Sequence, residues 1–461
     1  MITSLRIQNF KAWKDTGEIR MAPLTVFFGR NSSGKTSILQ LLLMLKQTAE
    51  WGDRGCVLHL ADSRTPMDLG VFQDIVHGRD EAQPVRFDIG WQLPERLAVT
   101  DSGGTFICLG DALRFRASVG HVGPGPTPIG VRALSYHLVS GGVEGLSITL
   151  RQKQGHLDEY VLDTSPDFLV RRPGGPWPLP APVRFYGFPD EVIAYHQNAG
   201  FVADLALQLE RLLRGVQYLG PLRAYPARTH TWLGDRPEHV GGRGHLTVPA
   251  LLGAQDRHIG RGGRAQYRPF EEVVARWLGA LGLVASFKTE CISERSRQYE
   301  VMANTSPGVP WVNLADVGFG VSQVLPVIVQ CFCGPCGSTV ILEQPDIHLH
   351  PSAQAELADL FIEALHAREL GRDRHVQLIV ESHSEHLLHR LQRRIAEQRL
   401  SPSDVAIYFC EMGTPSAKLT ELEVDDLGNI RNWPRDFFGD DMGDLVAMTE
   451  AAAQREQGDD A

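Results

Sequence analysis

The eight residues Gly29-Arg30-Asn31-Ser32-Ser33-Gly34-Lys35-Thr36 constrain the fold of this chain more than any other stretch. They fit the spacing G-x-x-x-x-G-K-[ST], and the flanks agree. Leu24–Phe28 reads as a strand and Ser37–Gln47 as a strongly apolar helix. The glycines let backbone N–H groups close around phosphates at a helix N-terminus, where the dipole favours negative charge. Lys35 has the reach for β- and γ-phosphates, and the Thr36 hydroxyl suits Mg2+. Gly29 through Thr36, with Ser37 beside them, form the candidate nucleotide-binding set.

Two later apolar runs empty into polar residues, and an open parallel sheet binds its ligands outside the carboxyl ends of its strands. Val340-Ile341-Leu342 leads into Glu343-Gln344-Pro345, and Gln377-Leu378-Ile379-Val380 into Glu381-Ser382-His383-Ser384. Glu343 is placed to hold Mg2+ through water, and His383 to touch a γ-phosphate. Around these runs α/β alternation is expected: helix 271–281, strands within 284–304, helix 322–330, strand 338–342, helix 352–367, strand 376–380, helix 384–398 and strand 405–410.

The middle of the chain reads differently. From Val85 to Asp163 short alternating segments, RFDIGWQL and ALRFRASV among them, are broken by Gly and Pro and predict an antiparallel sheet with hairpins. Residues 171–182 form a Pro/Gly linker, a helix is expected over 201–214, and 229–266 reads as a mobile basic loop. No heptad pattern lasts three repeats, so no long coiled coil is expected.

The ordered set GRNSSGKT, GFGVSQVLP (318–326), ILEQPDIHLHP (341–351) and ESHSEHLLHRL (381–391) resembles the ABC-type ATPase superfamily. Within it the chain looks like the compact SMC/RecF-like and OLD-like bacterial ATPases, often found in anti-phage defence. The resemblance covers roughly 1–80 and 215–415. It implies an α/β fold, an ABC/SMC-type P-loop ATPase head, with an inserted antiparallel region and a short acidic tail. The division expected is 1–80 (N-terminal lobe), 81–182 (antiparallel region and linker), 183–415 (helical arm and C-terminal lobe) and 416–461 (tail).

By resemblance, Glu343 is the Walker B acid and Gln344 stands where the catalytic glutamate belongs. Gly318, Gly320, Ser322 and Gln323 fall on the signature loop that touches a partner subunit's γ-phosphate. His350 sits at the D-loop, His383 matches the switch histidine, and Gln73 is a candidate Q-loop residue near the metal. The implied cofactors are ATP and Mg2+. The implied assembly is a homodimer, head to tail through ATP, or a higher oligomer. An effector protein or nuclease in trans, and DNA, are further partners to expect. A carboxamide at 344 cannot accept a proton but can orient water, so slow turnover is expected. The rival reading is a non-hydrolysing ATP-sensing scaffold controlling a separate effector. An OLD-type nuclease is disfavoured because only about 50 residues follow strand 405–410. A transporter ATPase is disfavoured because the signature is not LSGGQ.

No apolar run approaches the roughly 18 residues of a membrane helix, and the opening MITSLRIQNF shows no leader-like apolar core. A cytoplasmic protein without membrane partners is therefore expected. The net charge of −10 is uneven: residues 421–461 carry twelve Asp/Glu against three Arg, leaving a neutral body. Cys331, Cys333 and Cys336 are read as buried apolar thiols rather than metal ligands, and His386 and His389 as one helix face. Arg223, taken chiefly as a surface-loop arginine, and Arg261–Arg268 are the candidates for a DNA contact. Lys11 and Lys14 are read as bordering the nucleotide base or a DNA groove, or else as part of a solvated face. In the tail, Trp433, Phe437 and Phe438 suggest docking.

Overall fold

The computed structural model describes residues 1–62, 65–100, 106–122, 129–154, 156, 158–174, 177–261, 266–434 and 446–451. A six-stranded sheet lies at the centre. Its order is Val216–Leu219, Thr339–Glu343, Gln377–Glu381, Leu24–Gly29, Val405–Glu411 and Lys418–Glu421. The pairs are parallel except the last. The strand Leu24–Gly29 is buried along its whole length, as a strand covered on both faces must be.

The two faces feed two separate cores. Leu24, Val26, Phe28, Leu342 and Val380 point to one side, where helices Phe270–Ala280, Phe319–Cys333, Pro351–Leu365 and Glu385–Ala396 pack. Phe27, Ile341, Ile379 and Tyr408 point to the other side, onto helices Lys35–Glu50 and Phe201–Arg214. Beyond those helices lies the antiparallel sheet expected between Val85 and Asp163. It is eight-stranded, because three N-terminal strands join it. Ile2–Phe10 pairs antiparallel with Val85–Thr100, Ile7 opposite Phe87, so this sheet crosses residue 80.

The alternation expected after Glu271 appears with ends moved by only a few residues. The helix read as Ser322–Gln330 is longer, Phe319–Cys333, and carries Pro326 within it. The expectation of a mobile loop over 229–266 fails. That segment contains the strand His230–Thr231, the helix Thr247–Gly253 and the strand His258–Arg261. Val240, Leu251 and Leu252 anchor it in the core, which its Gly, His and Arg content concealed. Residues 262–265 of the candidate DNA loop lie outside the described residues, as do Phe437 and Phe438. Trp433 is half-exposed with a contact of its own. No helix among the described residues is long and apolar enough to cross a membrane.

Candidate functional site

The carboxyl ends of three neighbouring strands meet at the loop Gly29–Thr36. Gly29 adopts φ +144°, and a side chain there would run into the Cys410 carbonyl at 2.2 Å. Gly34 adopts φ +93°, with the Trp13 ring 3.1 Å from where a Cβ would stand. Only glycine fits both positions. Trp13 Nε1 donates to the Gly34 carbonyl at 3.0 Å and props the loop from beneath.

Lys35 opens the helix Lys35–Glu50 and is only 3% exposed. Its Nζ donates to the carbonyls of Gly29 (2.9 Å) and Arg30 (2.8 Å), arching across the loop. Burial lowers its pKa, opposed by the charge of Glu381. Thr36 Oγ1 donates to the Glu381 carboxylate, at 3.1 Å to Oε1 and 2.9 Å to Oε2. Ser33 Oγ is buried without a partner, whereas Arg30, Asn31 and Ser32 face solvent. Ser37 N bonds the Gly34 carbonyl at 3.1 Å.

Glu343 ends the next strand but one, in register with Glu381. It is 5% exposed and its Oε1 has no partner. Burial, then the charge of Glu381, push its pKa up to about 8, although the Tyr218 hydroxyl and Arg223 oppose the rise. Gln344 turns the chain with φ +46°, an uncommon conformation for a residue with a side chain. Its N–H donates to the Glu381 carbonyl at 2.8 Å.

Arg223 is where the sequence reading needs correction. It is not a surface-loop residue but 6% exposed. It donates to the carbonyls of Pro221 (3.0 Å), Glu343 (3.1 Å) and Gln344 (3.1 Å). Burial lowers its pKa to about 10, so it stays charged at neutral pH. Asp346, passed over in the sequence, is 7% exposed. Its Oδ1 is buried without a partner, and burial raises its pKa against the opposing pull of the Ser382 side chain and the His383 backbone. His383 Nε2 is buried without a partner, and burial and Lys35 both lower the pKa of its imidazole.

The remaining candidates stand on other elements. Gly318 caps the helix Phe319–Cys333 and is exposed, and Gly320 approaches the His348 carbonyl. Ser322 and Gln323 point inward: Ser322 is 7% exposed and donates to the Phe319 carbonyl at 2.8 Å, and Gln323 is 4% exposed. His350 caps the helix Pro351–Leu365 and bonds Ser352. Gln73 is exposed in the short helix Phe72–Ile75. Lys11 Nζ donates to Gln40 Oε1 at 2.7 Å. His386 and His389 are exposed on one helix; Cys331 and Cys333 are buried free thiols as expected, whereas Cys336 is exposed, against the expectation. Among the described residues no group of three or more His, Cys, Asp or Glu is placed to hold a metal by itself.

A strand, glycine loop and helix holding a buried lysine beside buried carboxylates define a P-loop nucleotide-binding protein. Comparison with known families narrows this. Residues 1–79 match the model described as AAA ATPase domain. Residues 278–389 match an AAA domain model whose description includes "AbiEii toxin, Type IV TA system". Residues 400–448 match a protein of unknown function, DUF3696. With the fold, the two AAA segments support a P-loop ATPase of the AAA kind. No curated protein matches the chain.

Solved structures include an Smc head bound to the C-winged helix domain of ScpA, at 11% identity and TM-score 0.41, covering 92% of this chain and 98% of that one. The SMC head domain from Thermotoga maritima is 10% identical with TM-score 0.40, covering 92% and 99%. The Smc head with an extended coiled coil, bound to the C-terminal domain of ScpA derived from Pyrococcus furiosus, is 11% identical with TM-score 0.42, covering 92% and 96%.

Proposed function

We propose that this chain is an ATP-binding, Mg2+-dependent and slowly hydrolysing ATPase. On this reading it works as a head-to-tail dimer and switches a bacterial defence or DNA-processing complex in the cytoplasm. The observation that carries the reading is Gln344, placed beside Glu343 at the P-loop end of the sheet with its backbone tied to Glu381 and Arg223. Phosphoryl transfer depends mostly on positioning and charge. A glutamine there can hold the attacking water without taking its proton. The Gly29–Thr36 loop and Lys35 would bind the phosphates, and His383, half-buried near Lys35, would face the γ-phosphate.

The residues fit Mg2+. Such an ion binds through one or two carboxylates and takes its other ligands from phosphates and water. Thr36 and the unpartnered Glu343 oxygen are the groups that would hold it. When bound it would neutralise charge developing on the transferred phosphate. Gly318 and Gly320, at the exposed start of their helix, would meet the partner's nucleotide. Ser322 would have to turn out of its own helix to do so. DNA contact, where it occurs, would be weak and salt-dependent, since Arg261 faces Glu363 and Arg223 is buried.

The inward Ser322 and the amide at 344 favour one alternative, a non-hydrolysing ATP-sensing scaffold that controls an effector or nuclease in trans. Steady-state ATP turnover beside the Gln344→Glu variant separates the two. Slow turnover that the variant raises supports the switch ATPase. No turnover in the parent, with intact ATP binding, supports the scaffold.

A further inference from the structure

Glu381 opens the ESHSEHLLHRL motif but was given no role there, yet it is the side chain that holds Thr36. It ends the strand between the P-loop strand and the Glu343 strand, paired with Phe27 on one side and Glu343 on the other. It is 3% exposed. Both carboxylate oxygens accept from the Thr36 hydroxyl. A hydroxyl that donates its proton to a carboxylate keeps its lone pairs free, and an ion at the P-loop uses those lone pairs.

Nearby cations are already committed elsewhere. Lys35 Nζ bonds two loop carbonyls, and the Arg223 guanidinium bonds three. Glu343 Oε1 is buried and unpartnered across the strand pair. Two adjacent buried carboxylates with no ammonium or guanidinium hydrogen-bonded to either require a cation or a proton. With no self-sufficient set of metal ligands among the described residues, a divalent ion would draw its other ligands from a nucleotide and water.

We propose that Glu381 is a metal-site carboxylate, which orients Thr36 and shares nucleotide-bound Mg2+ with Thr36 and Glu343. The coupling between Mg2+ and nucleotide binding then runs through Glu381. This rests on the Mg2+–ATP reading above and adds a ligand to it. Gln344 has lost the charge expected beside Glu343, and Glu381 supplies a carboxylate at the same end of the sheet.

The test is calorimetric titration of the full chain with ATP, once with Mg2+ and once with EDTA. The parent should bind more tightly with Mg2+. Glu381→Gln still offers Thr36 an acceptor, so a purely structural role would leave the Mg2+/EDTA affinity ratio unchanged. A metal-site role should shrink that ratio by about tenfold or more while leaving the EDTA affinity near the parent's. Glu381→Asp keeps the charge but draws the carboxylate back, and a reduced Mg2+/EDTA ratio there decides the matter if Glu381→Gln does not fold. An unchanged ratio in Glu381→Gln, or no Mg2+ effect in the parent, overturns the inference. Absence of ATP binding to the parent under both conditions overturns the ATPase reading itself.

Discussion

Arg223 donates to the carbonyls of both Glu343 and Gln344, 3.1 Å from each, so one buried guanidinium fixes the turn by which the chain leaves its acidic strand. That turn needs a tether. Gln344 sits at φ +46°, which costs on the order of 1 kcal/mol for a residue with a side chain. Replacing Arg223 by Ala takes the donor from three carbonyls, the buried one of Glu343 among them. Arg223→Ala should lower stability by about 3 kcal/mol, read as a drop in melting temperature. ATP turnover should fall further than ATP affinity, because Gln344 loses its position. A variant that melts and turns over like the parent would show that the tether is idle.

The strand–loop–helix and the order of the sheet's polar ends were legible in the sequence because apolar strands and glycine spacing are local signals. The roles of Arg223, Asp346 and Glu381 were not. Arg223 sits after a strand and before Ala224-Tyr225-Pro226, which reads as a surface turn. Its burial comes from strand Thr339–Glu343, more than a hundred residues away. Glu381 did leave a trace, a carboxylate directly after the apolar run Leu378-Ile379-Val380 and before Ser382-His383. The basic segment 229–266 misled because Gly and Arg suggest mobility. Val240 and Leu251 fix it through contacts that composition does not record.

Lys35→Ala should remove ATP binding while leaving the fold intact. Lys35 is buried, but its Nζ bonds the Gly29 and Arg30 carbonyls of its own loop, which phosphate oxygens would replace as its partners. Calorimetry should show at least about a hundredfold weaker binding, the scale of a lost charge-assisted contact. The melting temperature without nucleotide should hold or rise, since a buried ammonium is gone. Equal ATP affinity in mutant and parent would remove the assignment.

The helix Phe319–Cys333 is clamped at its far end, and the clamp should be acid-sensitive. Arg257 donates to the carbonyls of Cys333 (2.5 Å) and Phe332 (3.1 Å), and Arg374 to those of Cys331 (3.4 Å) and Gly334. Glu369 faces both guanidiniums, at 2.7 Å and 3.4 Å. Burial raises its pKa, but hydrogen bonds and charge from Arg257, with charge from Arg374, outweigh burial and hold it below 4.5. A depressed carboxyl contributes stability that is complete above its unfolded value and vanishes as pH falls through the folded one. Glu369→Gln should therefore cost about 2 kcal/mol near pH 7. The gap between variant and parent should close on acidification below pH 4.5. A gap that persists in strong acid would mean that packing, not charge, holds the helix end.

At the near end of the same helix, Phe319 is 46% exposed and Tyr225 86%. Their rings stand 6.2 Å apart, and the His348 ring meets Phe319 edge-on at 5.1 Å. Leu222, 74% exposed, adds to the apolar area on the segment that carries Arg223. Exposed aromatics beside a glycine-bounded helix start are what an interface core is built from. In the head-to-tail dimer proposed above this patch would lie against the second chain. Ser322 is turned inward, so charge introduced there would also disturb the helix. Phe319→Ala and Tyr225→Ala are the cleaner probes. Each should weaken Mg2+–ATP-dependent self-association about tenfold, a loss of roughly 1.4 kcal/mol. Affinity of the isolated chain for ATP should not change. Sedimentation of parent and variants with ATP reads the effect directly. If both variants associate as the parent does, the chains meet through some other face.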